Sequence, residues 1–174
     1  MAEALTWENH EKAERDIYSL SGLPEECFER KFVKVDTYDG EDVNIRTIVV
    51  TNNVTSQPVS SSKPDLVWIH GYAACSGLYY TVVKRMSKYF RLILIDNIGY
   101  GCSSRPLNCD FKKMSANDYI EYFNKYFETW RKEMKLDKFY LVGHSMGGFL
   151  SGQYAAKYQE NLLKVILLSP PGMA

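Results

Sequence analysis

The chain has 174 residues, of which 45% are hydrophobic, 24% charged and 14% aromatic, enough to bury the core of one globular domain. Lysines plus arginines and aspartates plus glutamates number 21 each, so the net charge is zero, which excludes a general basic field for nucleic acid and leaves only local patches open. No apolar run approaches the ~18 residues of a membrane-crossing helix, and residues 1–10 have neither the basic nor the apolar segment of a secretory signal. These readings predict a cytoplasmic protein without a transmembrane segment and exclude disordered, collagenous and secreted disulfide-scaffold classes. Cys27, Cys75, Cys102 and Cys109 form no C-x-x-C pair and no metal-type spacing with histidine. Free thiols are expected, although spacing alone allows a Cys102–Cys109 bridge.

In chain order, Glu8 to Leu20 predicts an amphipathic helix with Trp7, Ala13, Ile17 and Leu20 on one face. Two strand-like runs follow, Lys31–Val35 and Val43–Val50, and Asp39-Gly40 between them predicts an antiparallel hairpin. Thr51 to Ser62 has the Ser, Asn and Pro content of a loop, and its Asn53-Val54-Thr55 sequon reads as a turn. From residue 64 the pattern becomes alternating strand and helix. The runs Leu66–Ile69, Leu92–Ile95, Phe139–Val142 and Val165–Leu168 are short and apolar throughout, as strands buried on both faces of a parallel sheet are. Helices are predicted over Leu78–Tyr89, Ser115–Lys135 and Met146–Tyr158. Ser115 and Asp118 make a capping box, and Tyr119, Phe123, Tyr126, Phe127, Trp130 and Met134 recur at steps of three and four. The fold class is therefore α/β: a mostly parallel, doubly wound sheet with an N-terminal antiparallel hairpin. Residues 1–30 are expected to form a helical extension and residues 31–174 the sheet domain.

Gly143-His144-Ser145-Met146-Gly147 fits G-x-S-x-G between an apolar strand and a helix, the context of a nucleophile elbow. A strand turning sharply into a helix strains the backbone at Ser145, so the neighbours two residues away must be small, and Gly148 adds room for packing. The hydroxyl is then expected above the strand ends, at the positive terminus of the following helix. His70-Gly71-Tyr72 ends an earlier strand at the same sheet edge. An oxyanion needs two backbone N–H donors, and these are assigned to Met146 and to Tyr72, with Ala73 as the alternative to Tyr72. His70 and His144 are read as structural. Asp96-Asn-Ile-Gly99-Tyr-Gly101-Cys-Ser103-Ser104-Arg105-Pro106 is read as a loop shaping the mouth of the site, since it is not G-x-G-x-x-G and opens no helix. Tyr72, Tyr79, Tyr80 and Tyr100 are candidates for lining an apolar acyl pocket.

Taken together, HG, D-x-x-G-x-G-x-S and GHSMGG resemble the α/β-hydrolase family. The Trp7 segment, HGYAACSGLYY, DNIGYGCSSRP, MKLDKFYLVGHSMGGFLSGQYAAKY and VILLSPPGM are similar to a lipid-metabolising branch of it. That branch holds lysophospholipase and N-acyl-phospholipid hydrolases, cardiolipin deacylases and the lipid-droplet coactivator of triglyceride lipase. The resemblance implies a Ser–acid–His triad and hydrolysis of acyl esters or amides in lipids. Ser145 would be the nucleophile, Tyr72 and Met146 the oxyanion donors, and no cofactor or metal would be needed. It also implies a lipid or acyl-ester substrate, no nucleic acid, and a location open to peripheral membrane, lipid-droplet or mitochondrial contact. The coactivator branch lacks a serine at the elbow, whereas this chain keeps Ser145. In the family the triad runs Ser, acid, His along the chain. Residues 146–174 contain no histidine and one acid, Glu160, which would fall on the wrong side of the sheet. The chain is therefore expected to be the N-terminal part of a hydrolase core, truncated after the sixth strand with the lid and last strands absent, and inactive as it stands. The competing reading is a non-catalytic regulator that keeps the scaffold.

Overall fold

The computed structural model describes residues 7–38, 40–52, 63–105 and 113–172, with only the backbone of Trp7. Asp39 of the hairpin turn, the sequon, Pro106, Cys109 and the side chain of Trp7 lie outside the described residues. Helix α1 (Trp7–Ser19) precedes β1 (Phe28–Tyr38) and β2 (Glu41–Val50), which pair antiparallel with Tyr38 opposite Glu41. The pairing leaves a two-residue connection, and its Gly40 takes φ +82°, which glycine adopts without a steric penalty. After β3 (Asp65–Ile69), a 3-10 turn at Ser76–Tyr79 leads into α2 (Tyr80–Met86). Then come β4 (Arg91–Ile95), α3 (Ala116–Glu133), β5 (Phe139–His144), α4 (Met146–Lys157) and β6 (Leu162–Leu168).

The six strands form one sheet in the order β1-β2-β4-β3-β5-β6. β2 joins β4 antiparallel, while β3 pairs parallel with both β4 and β5, and β5 with β6. Alternate residues of the central strands face opposite layers. Val67, Ile69, Ile93 and Ile95 pack with Phe123, Phe127 and Trp130 of α3 and with Leu150 and Tyr154 of α4. Leu66, Trp68, Leu92 and Leu94 pack with Tyr18 of α1 and Val83 of α2. The sheet is thus covered on both faces, the mixed α/β architecture expected from the all-apolar strands. The buried Trp130 indole donates to Thr47 Oγ1 at 2.9 Å, so its one polar atom is satisfied within the core. Ser115 caps α3 with both halves of the capping box formed.

Three local expectations change. The single helix expected over Leu78–Tyr89 is divided into the 3-10 turn and the shorter α2, so the chain bends before it reaches the sheet face. β6 begins at Leu162 rather than Val165, pairing Leu162 with Phe139. The inward face of α1 is not the Ala13, Ile17 and Leu20 stripe. It is Tyr18 and Glu14, both buried, while those three apolar residues are exposed. A carboxylate can be buried there because the Glu14 oxygens accept from Arg46 Nε and Nη2 at 3.0 and 2.8 Å, and Arg30 Nε stands 2.9 Å away.

β6 is an edge strand, and Leu163, Val165, Ile166 and Leu168 along it are 37–45% exposed. An open row of backbone donors and acceptors flanked by apolar side chains recruits other strands. The isolated 174-residue chain is expected to self-associate, and Ile166→Lys to reduce that association. Sedimentation velocity checks this, and a monodisperse parent chain would contradict it. No helix among the described residues is long and apolar enough to cross a membrane.

Candidate functional site

The strand order reverses direction at β3. One connection runs from β3 through α2 to β4, and the next returns past β3 to β5 and on through α4 to β6. Such a switch point opens a crevice at the carboxyl ends of adjacent strands. Here the adjacent pair is β3 and β5, with Ile69 opposite Gly143, so the His70 loop and the Gly143–Gly147 turn lie side by side.

Ser145 joins β5 to α4 with φ 53° and ψ −121°, a backbone conformation that costs a non-glycine residue free energy and persists only where its surroundings enforce it. The enforcement is visible atom by atom. Ser145 N–H donates to Leu168 O of β6 at 2.8 Å, and its carbonyl accepts from Phe149 N–H at 3.0 Å. A Cβ on Gly143 would sit 2.2 Å from Gly147 O and 2.4 Å from Ser151 Oγ. A Cβ on Gly147 would sit 2.4 Å from His70 O, and one on Gly148 2.9 Å from Gly143 O. A Cβ on Gly71 would meet Ser145 Cβ at 3.1 Å and His144 O at 3.3 Å. The tightest of these approaches are to backbone atoms, so the turn and the His70 loop are packed together too closely for larger residues.

The loop after β3 is held from beneath. His70 is fully buried, its Nδ1 lies 2.7 Å from Gly71 O, and its Nε2 accepts from Asn97 N–H at 2.9 Å. That pairing requires the neutral ring with the proton on Nδ1. Burial lowers the His70 pKa, opposed by the Gly71 bond and the charge of Asp96. The consequence for stability has a definite sign. Below the ordinary histidine value of about 6.5 the unfolded chain binds a proton that folded His70 resists. Stability is therefore expected to fall as pH drops through that value, by at most about 1.4 kcal/mol per pH unit from this one group. Urea unfolding at pH 7.5 and 5.5, in the parent and in His70→Asn, checks it; a pH response unchanged in the variant would contradict it.

Asp96, at the end of β4, is buried and fixes two loops at once. Its Oδ1 accepts from Ser76 N–H and its Oδ2 from Cys102 N–H, each at 2.7 Å. A side chain on Gly101 (φ +49°) would collide with it, at 2.1 Å from Oδ2. Ser103 Oγ donates to Asp96 O at 2.6 Å and accepts from Arg46 N–H at 2.8 Å, strapping the DNIGYGCSS loop to β2. The residue pattern marked this loop as a shaping element but did not reveal Asp96 as its anchor, because the partners lie 20 residues before it and six after.

Tyr72 and Met146 are brought together. With Ala73, Gly99, Tyr100 and Tyr119 they line a cavity of about 470 Å³. Tyr72 is exposed, and its ring meets Tyr100 edge-on with centroids 6.2 Å apart, while Ala73 takes φ 52°. Tyr79 belongs instead beside the elbow, its hydroxyl 3.2 Å from His144 Nδ1. Glu160 lies in a 3-10 turn before β6, at the sheet edge opposite Ser145. His10 lines a second cleft that also includes Tyr72, with α1 lying along the loops at the strand ends. No group of three or more His, Cys, Asp or Glu suited to a metal ion occurs among the described residues.

The family model of the alpha/beta hydrolase fold matches residues 64–174. The chain belongs to that family. It is 33% identical over 146 residues to a probable 1-acylglycerol-3-phosphate O-acyltransferase of Oryza sativa subsp. japonica, covering 84% of this chain and 30% of the relative. It is 33% identical over 119 residues to the (lyso)-N-acylphosphatidylethanolamine lipase of Mus musculus, covering 68% and 34%. Among solved structures, the naproxen esterase of Bacillus subtilis superposes with a TM-score of 0.70 at 18% identity, over 92% of this chain and 48% of that one. The curated relatives are thus named for lipid enzymes, and this alpha/beta hydrolase chain spans about a third of their length.

Proposed function

We propose that this chain carries the nucleophile and oxyanion half of a serine hydrolase that cleaves carboxylic ester or amide bonds in lipids. The observation that carries the reading is the enforced backbone of Ser145 at the β5–α4 junction, packed against the loop that bears Tyr72. In this reading Ser145 Oγ attacks the acyl carbon and loses its proton to a histidine base, which returns the proton to the leaving alcohol or amine. The N–H groups of Tyr72 and Met146 receive the oxyanion, and water then releases the acyl group. Helix α1 (Trp7–Ser19) is an extension carried on the sheet domain, whose first strand starts at Phe28, three residues before the boundary expected from the sequence.

The base is not assigned to a histidine of this sequence. His70 is committed to its loop, and the His144 ring faces Tyr79. The 174-residue chain alone is therefore expected to show at most the ~10³–10⁴-fold residual over water that an oxyanion hole supplies. A turnover assay on a nitrophenyl ester, run beside His10→Ala, tests this. Enzymatic rates that vanish in the variant would make His10 the base and overturn the assignment.

Transfer of the same acyl group to a lipid hydroxyl instead of water would be the activity named for the rice relative. Release of free fatty acid from a lysophospholipid by a protein that carries this segment together with a histidine base and its acid, with and without lysophosphatidic acid as acceptor, tests the hydrolase reading. Free acid as the main product in both arms supports hydrolysis. Diacyl product at the expense of free acid would replace it with acyl transfer.

A further inference from the structure

The sheet does not cover the apolar stripe of α1. Ala13, Ile17 and Leu20 turn away from the core and, with the loop Tyr72–Leu78 against which Ile17 packs at Gly77, line a cleft of about 810 Å³. Its volume falls within the ~300–1,000 Å³ of small-molecule sites. Leu20, Tyr72 and Leu78 are 56–74% exposed, so large apolar side chains stand along the cleft.

Two carboxylates also line the cleft, and both are already satisfied. Glu14 is held by Arg46 and Arg30, and Asp96 by the N–H groups of Ser76 and Cys102. His10 and Arg105 also line the cleft, and Arg105 donates to Ser103 O at 3.3 Å and to Gly101 O at 2.9 Å; most of the remaining lining is hydrocarbon surface. The cleft adjoins the candidate site: Tyr72 and Ala73 line both it and the cavity beside Met146. An occupant that is apolar along its length and extends past Tyr72 to the cavity beside Met146 fits a long-chain acyl group.

We propose that the cleft between α1 and the Tyr72–Leu78 loop binds one long acyl chain, whose carbonyl end passes Tyr72 toward Ser145. The inference rests on the reading of Ser145 as an acyl-accepting nucleophile and assigns α1 a role in substrate binding. α1 is then a wall of the binding site, clamped to the sheet by the Glu14–Arg46 pair.

The test is equilibrium dialysis of radiolabelled palmitate, below its micellar concentration, against the 174-residue chain. Saturable binding at one site is expected. Ala13→Trp fills the cleft from an exposed helix position and is expected to weaken binding at least about tenfold with an unchanged melting temperature. Lys12→Trp adds the same ring one residue away, outside the cleft lining, and is expected to leave binding unchanged. Absent or non-saturable binding, or equal affinity in the parent and Ala13→Trp, would overturn the proposal. A dimer abolished by Ala13→Trp in sedimentation velocity would do so too, since a second copy would then occupy the cleft. Labelling of Ser145 by a fluorophosphonate, in a protein that carries this segment together with a histidine base and its acid, is an independent readout: palmitate binding without labelling there removes the hydrolase reading alone, and labelling without binding removes the cleft alone.

Discussion

Ser145→Ala is expected to lower turnover of a lipid ester by on the order of 10⁴–10⁶, in a protein that carries Ser145 together with a histidine base and its acid. The substitution removes one oxygen atom and leaves the turn free to keep its shape, since its backbone is held by Leu168 O and by Phe149 N–H rather than by the hydroxyl. The effect should therefore fall on kcat and leave the melting temperature nearly unchanged. A variant that folds normally and hydrolyses lipid at a near-parental rate would remove Ser145 from the chemistry.

Gly147→Ala is expected to act on the fold itself. The added methyl carbon would lie 2.4 Å from His70 O and 2.6 Å from Ile69 O, backbone atoms fixed by the β3–β5 pairing. Relief requires α4 to move away from the strand ends, at about 3 kcal/mol or more, which for a chain of this size lowers Tm by about 6–12 °C. Gly152→Ala on the same helix provides the contrast. Its Cβ would make an ordinary contact, 3.7 Å from Leu167 Cδ1, and alanine is the better helix former by about 1 kcal/mol. The account therefore expects Tm changes of opposite sign from the same substitution five residues apart, read by thermal melting of both variants. Equal responses would mean that the crowding at Gly147 does not constrain the turn.

These two glycines also show what the residue pattern carries. The Gly-x-Ser-x-Gly spacing, the apolar run before it and the helix after it are local, and local patterns determine a strand–turn–helix junction. The capping box of α3 and the all-apolar central strands are legible for the same reason. Readings failed where the deciding partner is distant in the chain. The α1 stripe was read without Glu14, whose partner Arg46 lies 32 residues away; their pairing turns Tyr18 inward and leaves the Ala13–Ile17–Leu20 stripe outside. The start of β6 was obscured by Lys164, which interrupts the apolar run although Leu162 already pairs with Phe139. Asp96 was read only as the start of a shaping loop, and its hold on both the Ser76 and Cys102 segments emerges only when the two loops meet above β4.

The site divides in the same way. The places of Ser145, Met146 and Tyr72 (or Ala73) just beyond the ends of β5 and β3 were legible, because each follows an apolar run by a few residues. The neutral tautomer of His70, held between Gly71 O and Asn97 N–H, could not be named, because Asn97 comes from the neighbouring strand's loop. The cleft under α1 was equally hidden, since it depends on a helix orientation that a buried ion pair dictates.

The most direct test of the central claim is the position of a fluorophosphonate adduct. A protein carrying this segment together with the histidine base and acid is treated with the probe, digested and analysed by mass spectrometry while lipid hydrolysis is followed in parallel. The account predicts one adduct, on the peptide containing Ser145, formed as activity is lost and absent from Ser145→Ala. Hydrolysis that continues at its full rate with Ser145 fully labelled, or that is abolished by labelling at a different residue, would contradict it.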